Sequence, residues 1–438
     1  MNMALPHSLM AFCQAPQQFL LDLALKGPPA QFRLNDETFL VLSDPASIHA
    51  VLNGPFADFE KGALYDIPRT YWHDGIVTCE GGDWIEQHAM LSPLFTRRRL
   101  RDLEPLICER VARLIRTWSA LPAGEPVDIL AAANRIAFDV VATGLLGVAD
   151  QTLADTLFAT VREIDNAESV RLTYLIKSFG VTAGRFGRSA RAEPVERMDR
   201  LTLAVADERL ARATQPDDLF GAVMATPVFA AFTAERKRAF LAHQVATLLS
   251  AGYVTTGESI FWALYLLARH PAAQQRARED IAANTGAMNG APPMEPPPFL
   301  AAAFNESHRL YPPVWFMGRV ALQDVRVGDL DIAAGVRVIC SPYVLHRMPG
   351  LWPDSESYQP ERFAPGAPPP PPRAFIPFGT GRRACLGRAL AQMEMSAFIG
   401  MALSRFELEV VSEAPVVLAA AYTMHPKETV MFRLKPLT

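Results

Sequence analysis

The chain has 438 residues, half of them hydrophobic, and a formal net charge of −4. That balance argues against a basic nucleic-acid-binding surface, and the apolar share is enough for a large core. The five cysteines (Cys13, Cys79, Cys108, Cys340 and Cys385) are odd in number and form no C-x-x-C pair, which excludes a zinc ribbon or a disulfide framework and fits a reducing cytoplasm.

Length alone favours two or three domains at about 150 residues each. No Gly/Ser linker, charge block or internal repeat divides the chain, so residues 1–438 read as one domain. Met1 to Lys26 holds only short apolar runs, broken by His7, Gln14, Pro16, Gln17, Gln18 and Asp22. That is too short and too polar for a membrane anchor, and it lacks the charge pattern of a signal peptide. Gln31 to Leu34 and Thr38 to Leu42 predict a β-hairpin around Asn35-Asp36. Asp44-Pro45 then predicts a cap for a helix from Ala46 to Leu52. Asp58 to Gly82 reads as irregular, with aromatics at Phe59, Tyr65, Tyr71 and Trp72. It is either an ordinary surface loop or a cover over a site.

A helix is predicted from Trp84 to about Met90, with His88 on the same face as Trp84. Arg97, Arg98, Arg99 and Arg101 form a basic run, which suits either a solvated face or a docking patch for an acidic protein. Leu103 to Arg212 is mainly helical by periodicity, with a loop at Gly180 to Arg191. Leu241 to His270 predicts a long core helix ended by Pro271. Its middle reads Ala251-Gly-Tyr-Val-Thr-Thr256, and both threonine hydroxyls can bond back to the preceding turn.

Pro292-Pro293 and Pro296 to Pro298 precede a helix from about Phe299 to Leu310, which carries Glu306 and Arg309. An i, i+3 ion pair is uninformative by itself, and the same spacing occurs at Glu168/Arg171 and Glu235/Arg238. Val325 to Val327, Leu330 to Ile332 and Val336 to Cys340 predict short strands. Pro365 to Pro372 can be neither helix nor central sheet. Phe406 to Val411 and Val430 to Leu434 read as closing strands with a turn at Tyr422 to His425.

The most informative stretch is Phe378-Gly-Thr-Gly-Arg-Arg-Ala-Cys-Leu-Gly387, followed by the helix-forming run Arg388 to Met395. A cysteine just before a helix N-terminus sees the positive end of the dipole and free backbone N–H groups, which favour the thiolate. A thiolate is a nucleophile or a metal ligand, and the loop offers no histidine base for the first role. Gly379, Gly381 and Gly387 allow close approach of something large and flat. Phe378 can shield the sulfur, and Arg383 can pair with a carboxylate of that object. A thiolate-ligated haem meets all these demands.

Here the sequence resembles the cytochrome P450 superfamily, in its soluble bacterial type. The haem signature Phe-x-x-Gly-x-Arg-x-Cys-x-Gly is complete at Phe378, Gly381, Arg383, Cys385 and Gly387. The resemblance implies a mainly α fold with small β regions, and haem b between the long central helix and the helix after the cysteine loop. Cys385 would ligate iron; Trp84, His88 (where the family usually has arginine) and Arg319 would contact propionates. Gly252 and Thr255 match the oxygen-side helix, but Val254 stands where the family has an acid. Glu258 is then a candidate replacement. Glu306, Arg309 and Arg362 would form a structural ion cluster. Tyr65, Trp72, Val77, Leu248, Leu249, Tyr253, Val254, Val314, Phe316 and Met424 are the candidate substrate-pocket residues.

The implied activity is monooxygenation of a lipophilic small molecule, including a natural-product intermediate, with O2 as co-substrate. Electrons would come from NAD(P)H through a separate ferredoxin or flavodoxin and its reductase, and the protein would be a cytoplasmic monomer. The missing acid keeps oxidative coupling, desaturation or rearrangement open in place of plain hydroxylation. A haem sensor without turnover and a haem-free cysteine nucleophile stay open as well.

Overall fold

The computed structural model describes residues 12, 14–34, 37–122, 124–166, 188–285, 295–419 and 421–437. Helix α1 (Pro16–Leu25) leads into antiparallel strands β1 (Ala30–Leu34) and β2 (Glu37–Leu42), with Phe32 opposite Phe39. The predicted hairpin is present, and its Asn35-Asp36 tip lies outside the described residues. Asp44 caps α2 (Pro45–Asn53), accepting from the Ala46 and Ser47 N–H groups at 3.0 and 2.9 Å. Pro45 takes the first helical position, where a missing N–H costs nothing.

The stretch expected to be irregular is more ordered than that. It contains strand β3 (Phe59–Glu60), a 3-10 turn at Gly62–Tyr65 and helix α3 (Asp66–Trp72). Each element is too short to show a period, and Pro68 sits in the first turn of α3, where proline breaks no intrahelical bond. Then come α4 (Gly81–Leu91), α5 (Glu104–Ser119), strand β4 (Pro126–Val127) and α6 (Ile129–Asp139). A π-helical run at Val140–Leu145 extends α6, and α7 (Gln151–Asn166) follows. Helix α8 (Arg188–Ala211) takes in the last residues of the loop predicted at Gly180 to Arg191; the rest of that loop lies outside the described residues.

Helix α9 (Ala234–Arg269) has 36 residues and begins seven before the predicted Leu241. Thr233 caps it, accepting from Arg236 N–H at 3.2 Å. The missed first turns, Ala-Glu-Arg-Lys-Arg-Ala-Phe, are good helix formers without an apolar stripe. Farther along, α9 is buried nearly all round, as a helix through a core must be. It packs against α6, α8 and two later helices, α11 (Pro298–Leu310) and α12 (Arg388–Leu403), with α10 (Pro271–Thr285) between. Gly252 makes the α6 contact possible: a Cβ there would lie 2.8 Å from Val141 Cγ2. The close approach this glycine permits is therefore to α6 and its extension.

Strand β5 (Met317–Ala321) was not foreseen, because Met-Gly-Arg-Val-Ala shows no clean alternation. It lies between β3 and β8 (Arg337–Cys340) in a five-stranded sheet ordered β1-β2-β8-β5-β3, while β6 (Val325–Val327) and β7 (Leu330–Ile332) pair separately as a hairpin. Only the β2–β8 pair in the larger sheet is parallel. Strand β4 joins β9 (Phe406–Val410) and β10 (Phe432–Pro436) in a third sheet. Tyr422 to His425 is not a tight turn between β9 and β10. It belongs to the long connection 411–431, where Thr423 bridges to Val314 beside the site. One apolar cluster surrounds α9, and a smaller one fills the space between α2 and the five-stranded sheet.

Candidate active site

The cysteine loop arrives from residues 371–377 and turns twice before α12. Gly379 and Gly381 have φ of 70° and 79°, conformations that favour glycine. A Cβ on Gly381 would meet Asn53 Oδ1 at 2.6 Å, so the loop is pressed against the end of α2. Gly387 has an ordinary φ of −78° and serves as the residue before α12. The loop closes on itself through Cys385 N–H donating to Phe378 O at 2.9 Å. The Cys385 thiol opens onto a cavity. Enclosure by protein pushes this thiol up, against the lowering from the Gly387 and Arg388 N–H groups and the Arg388 charge. Desolvation thus opposes the helix-terminus effect expected from sequence. His308 and Arg388 flank the Phe378 ring, at 5.2 Å and 5.5 Å.

One face of α9 supplies another part of the cavity wall: Leu248, Ala251, Gly252, Thr255, Thr256 and Ser259. Thr255 Oγ1 donates to Ala251 O at 2.8 Å, the back-bond anticipated for a helical threonine. Ser259 Oγ donates to Thr255 O at 2.8 Å and lies 3.0 Å from His308 Nε2. Neither Ser259 nor His308 was singled out from the sequence. Ser259 was reachable, since it is one turn beyond Thr255. Glu258 does not line the cavity. It is fully buried, its Oε1 accepting from Thr423 Oγ1 at 2.7 Å and lying 3.3 Å from His425 Nδ1. The helix turns Glu258 toward the 411–431 connection, about 60° from Thr255 on the side opposite Gly252 and Ser259.

The rim is cationic. Lys61, Arg319 and Arg383 all line the cavity, with Trp84 and His88, and no Asp or Glu is among the described lining residues. Arg383 pairs with Glu80, which lies behind the rim, and stacks over Trp84 at 5.0 Å and Phe56 at 4.9 Å. His88 lies against Trp84 at 4.6 Å, and burial lowers its pKa. Arg319 donates to Gly318 O at 2.7 Å. Burial, then the Arg383 charge, brings Lys61 down to about 7. A thiol on one wall and three cations without a lining carboxylate fit an iron porphyrin carrying two carboxylates.

Behind the loop, Glu306 and Arg309 are wholly buried and form two hydrogen bonds, at 2.7 and 2.8 Å. Arg362 Nε lies 3.4 Å from Glu306 Oε1, and Gln359 N–H donates to the same oxygen at 2.9 Å. The three residues expected to cluster are brought together.

The sequence model of the family described as "Cytochrome P450" matches residues 7–431. The chain belongs to the cytochrome P450 family. It is 28% identical to cytochrome P450 monooxygenase pvhE of Talaromyces variabilis, over 86% of this chain and 75% of that protein. It is 26% identical to cyclooctat-9-en-7-ol 5-monooxygenase of Streptomyces melanosporofaciens, over 91% of this chain and 86% of that one. Putative cytochrome P450 132 of Mycobacterium tuberculosis is also 26% identical, over 91% and 88%. This P450 is accordingly a haem-thiolate monooxygenase, an iron-dependent oxidoreductase. Among the described residues, no helix is long and apolar enough to cross a membrane.

Of the pocket residues expected from sequence, Tyr65, Val77, Leu248 and Val314 line the P450 cavity. Trp72, Leu249, Tyr253, Val254, Phe316 and Met424 do not. Leu249 and Tyr253 lie on another face of α9, and the Tyr253 hydroxyl donates to Asp165 at 2.5 Å. Trp72 and Phe316 are core residues, and Met424 is held by its backbone, accepting from Trp262 Nε1 at 2.5 Å. Sequence reasoning missed Lys61, Ile76, Phe95, Val141 and Leu145, while Tyr422, in the stretch Tyr422 to His425 that the resemblance gave as a place of substrate contact, does line the cavity.

Proposed function

We propose that this P450, as one cytoplasmic haem domain and a monomer, oxidises a lipophilic small molecule of the natural-product kind. The observation that carries this reading is the make-up of the cavity. Away from the cationic rim, and apart from the hydroxyls of Tyr65, Thr255, Thr256, Ser259 and Tyr422, its wall is mostly apolar, with Ile76, Val77, Phe95, Val141, Leu145, Leu248 and Val314. A wall of that kind excludes water and holds an apolar substrate by burial. The relative named for cyclooctat-9-en-7-ol acts on a compound that would suit such a wall.

In this reading Cys385 holds the iron of haem b, on a loop shaped by Phe378, Gly381, Arg383 and Gly387. Trp84, His88 and Arg319 hold its carboxylates. Bound haem supplies the activation of O2 by two electrons, which a separate ferredoxin or flavodoxin draws from NAD(P)H through its reductase. Thr255 orients a proton-carrying water at its hydroxyl, and Gly252 lets α9 seat against α6. With Val254 in place of the usual acid and Glu258 engaged by Thr423, protons reach Thr255 through the Thr256 and Ser259 hydroxyls that share its face.

The test is a spectral titration of the ferric protein with varied lipophilic compounds. Saturable shifts toward the high-spin form are expected for one lipophilic class. Shifts confined to charged, water-soluble compounds would contradict the reading. That no Asp or Glu is among the described lining residues also favours a second reading, oxidation by coupling, desaturation or rearrangement. Turnover with labelled O2 separates the two: label in the product supports oxygenation, and an oxidised product without label supports the second.

A further inference from the structure

Residues 364–374, Ala-Pro-Gly-Ala-Pro-Pro-Pro-Pro-Pro-Arg-Ala, lead from the Glu306–Arg362 cluster to the cysteine loop. Pro368 to Pro372 follow one another without a break, and Arg373 is the only charged residue of the stretch. Proline fixes its own φ near −65°, and a residue before proline is held to an extended ψ. The X–Pro bonds of the run are trans, and no helix or strand includes it. It is therefore a polyproline II helix, with three residues per turn and a rise of about 3.1 Å.

Such a run can be a stiff spacer within the fold or a surface for a partner. Exposure favours the surface. Pro368, Pro369, Pro371, Pro372 and Arg373 are exposed, and Pro370 is half-buried. Among the described residues, none donates a hydrogen bond to the carbonyls of Pro368, Pro369, Pro370 or Pro372, so these are open to donors from outside. Both ends are fixed. Ala367 N–H donates to Ala364 O at 3.0 Å before the run, and Ala374 is wholly buried after it. The run stands out already shaped, so little ordering remains to oppose binding.

The backbone at Arg373 favours the surface as well. Ala374 N–H donates to Pro371 O at 3.0 Å, closing a turn in which Arg373 has φ 64°. That is the third position of a type II turn, which glycine fills without strain. A spacer would need only glycine there. Among the described residues, Arg373 makes no hydrogen bond or ion pair that would offset the strain. Strain of this kind at an exposed, unengaged side chain points to a use outside the chain.

We propose that Pro368 to Arg373 is a docking segment for a protein with a polyproline-reading groove. The groove offers aromatic side chains to the proline ridges and carboxylates to Arg373. Pro368 and Pro371 lie one turn apart on one ridge, and Pro369 and Pro372 on the next. Ring N–H and O–H groups of the partner donate to the open carbonyls, and its carboxylates pair with the guanidinium. The inference is independent of what fills the cavity.

The experiment is calorimetric titration of the haem-loaded full chain with a purified SH3 domain that carries carboxylates beside its aromatic groove. Wild type should bind it saturably at one site. Pro368→Ala combined with Pro371→Ala should weaken binding about tenfold or more, the scale for losing central anchors. Arg373→Gly should weaken it about tenfold or more, through loss of the charge-assisted contact. Its unfolding midpoint should equal or exceed that of wild type, because glycine relieves the turn. Neutralising the carboxylates of the probe should weaken wild type and leave Arg373→Gly unchanged. If the double alanine variant does not fold, the Arg373→Gly comparison decides. Absence of saturable binding, or equal affinity in wild type and Arg373→Gly, would overturn the docking segment. Loss of thermal stability in the proline variant with unchanged affinity would also overturn it, and leave the run as a spacer.

Discussion

Arg309 and Arg383 are both arginines set against a glutamate, but their surroundings are completed to different degrees. All five N–H donors of Arg309 are engaged: two meet Glu306, and three meet the carbonyls of His346, Ser355 and Ser357. Arg383 meets Glu80 and, at 3.4 Å, Cys79 O, while Arg319 adds like charge beside it. The first region is finished within the polypeptide, as a buried ion pair must be to persist. The second carries excess positive charge toward a cavity and becomes balanced when an anionic group binds. A wholly buried and a half-buried Glu–Arg pair can thus serve different ends, one holding the chain and the other receiving a ligand.

The sharpest way to break the contrast is Glu306→Ala. It leaves Arg309 buried without a counter-charge and should cost about 3–5 kcal/mol of stability in denaturant unfolding. Acid should strain the same region next. His308 is buried as the neutral form, its pKa lowered to about 4, chiefly by burial. The unfolded chain binds that proton more readily, so stability present above about 6.5 is lost as pH falls toward 4, by up to about 3 kcal/mol. His308→Leu should flatten that part of a stability-versus-pH profile.

Arg383→Gln addresses the other region. Haem affinity should fall about tenfold to a hundredfold, the range for losing a charge-assisted contact, with a smaller change in apoprotein stability than Glu306→Ala causes. An unfolding loss as large as that of Glu306→Ala would erase the distinction between the regions. The smallest effect belongs to a half-exposed pair, His73 and Asp199, 2.7 Å apart. The Asp199 hydrogen bond raises the His73 pKa. Its stabilisation is full below about 6.5 and fades as pH rises through the raised value. Asp199→Asn should cost less than about 1 kcal/mol at pH 6 and almost nothing at pH 9, as unfolding at the two pH values would show.

The cysteine loop was legible because its chemistry lies within ten consecutive residues. Glu306, Arg309 and Arg362 were legible only through their neighbours, since the spacing alone recurs elsewhere. The cavity wall was less so, for reasons of helical phase. On the 3.6-residue period the lining positions 248, 251, 252, 255, 256 and 259 share one arc of about 140°, and Leu249, Tyr253 and Glu258 fall outside it. That signal was available and was set aside for apolar character. Lys61 left no such signal. A lysine in a stretch without periodicity reads as solvated, and only the approach of β5, α4 and the cysteine loop encloses it. The order in 59–72 was hidden for a similar reason, because β3 gains its pairing from β5, far along the chain.

The most direct test of the account is the absorption spectrum of the reduced, carbon monoxide-bound protein, wild type against Cys385→Ser. The account predicts the red-shifted band of thiolate-ligated haem in wild type and its loss in the variant, with haem retained through the cationic rim. The same red-shifted band in Cys385→Ser would contradict it, because iron would then take its thiolate from elsewhere.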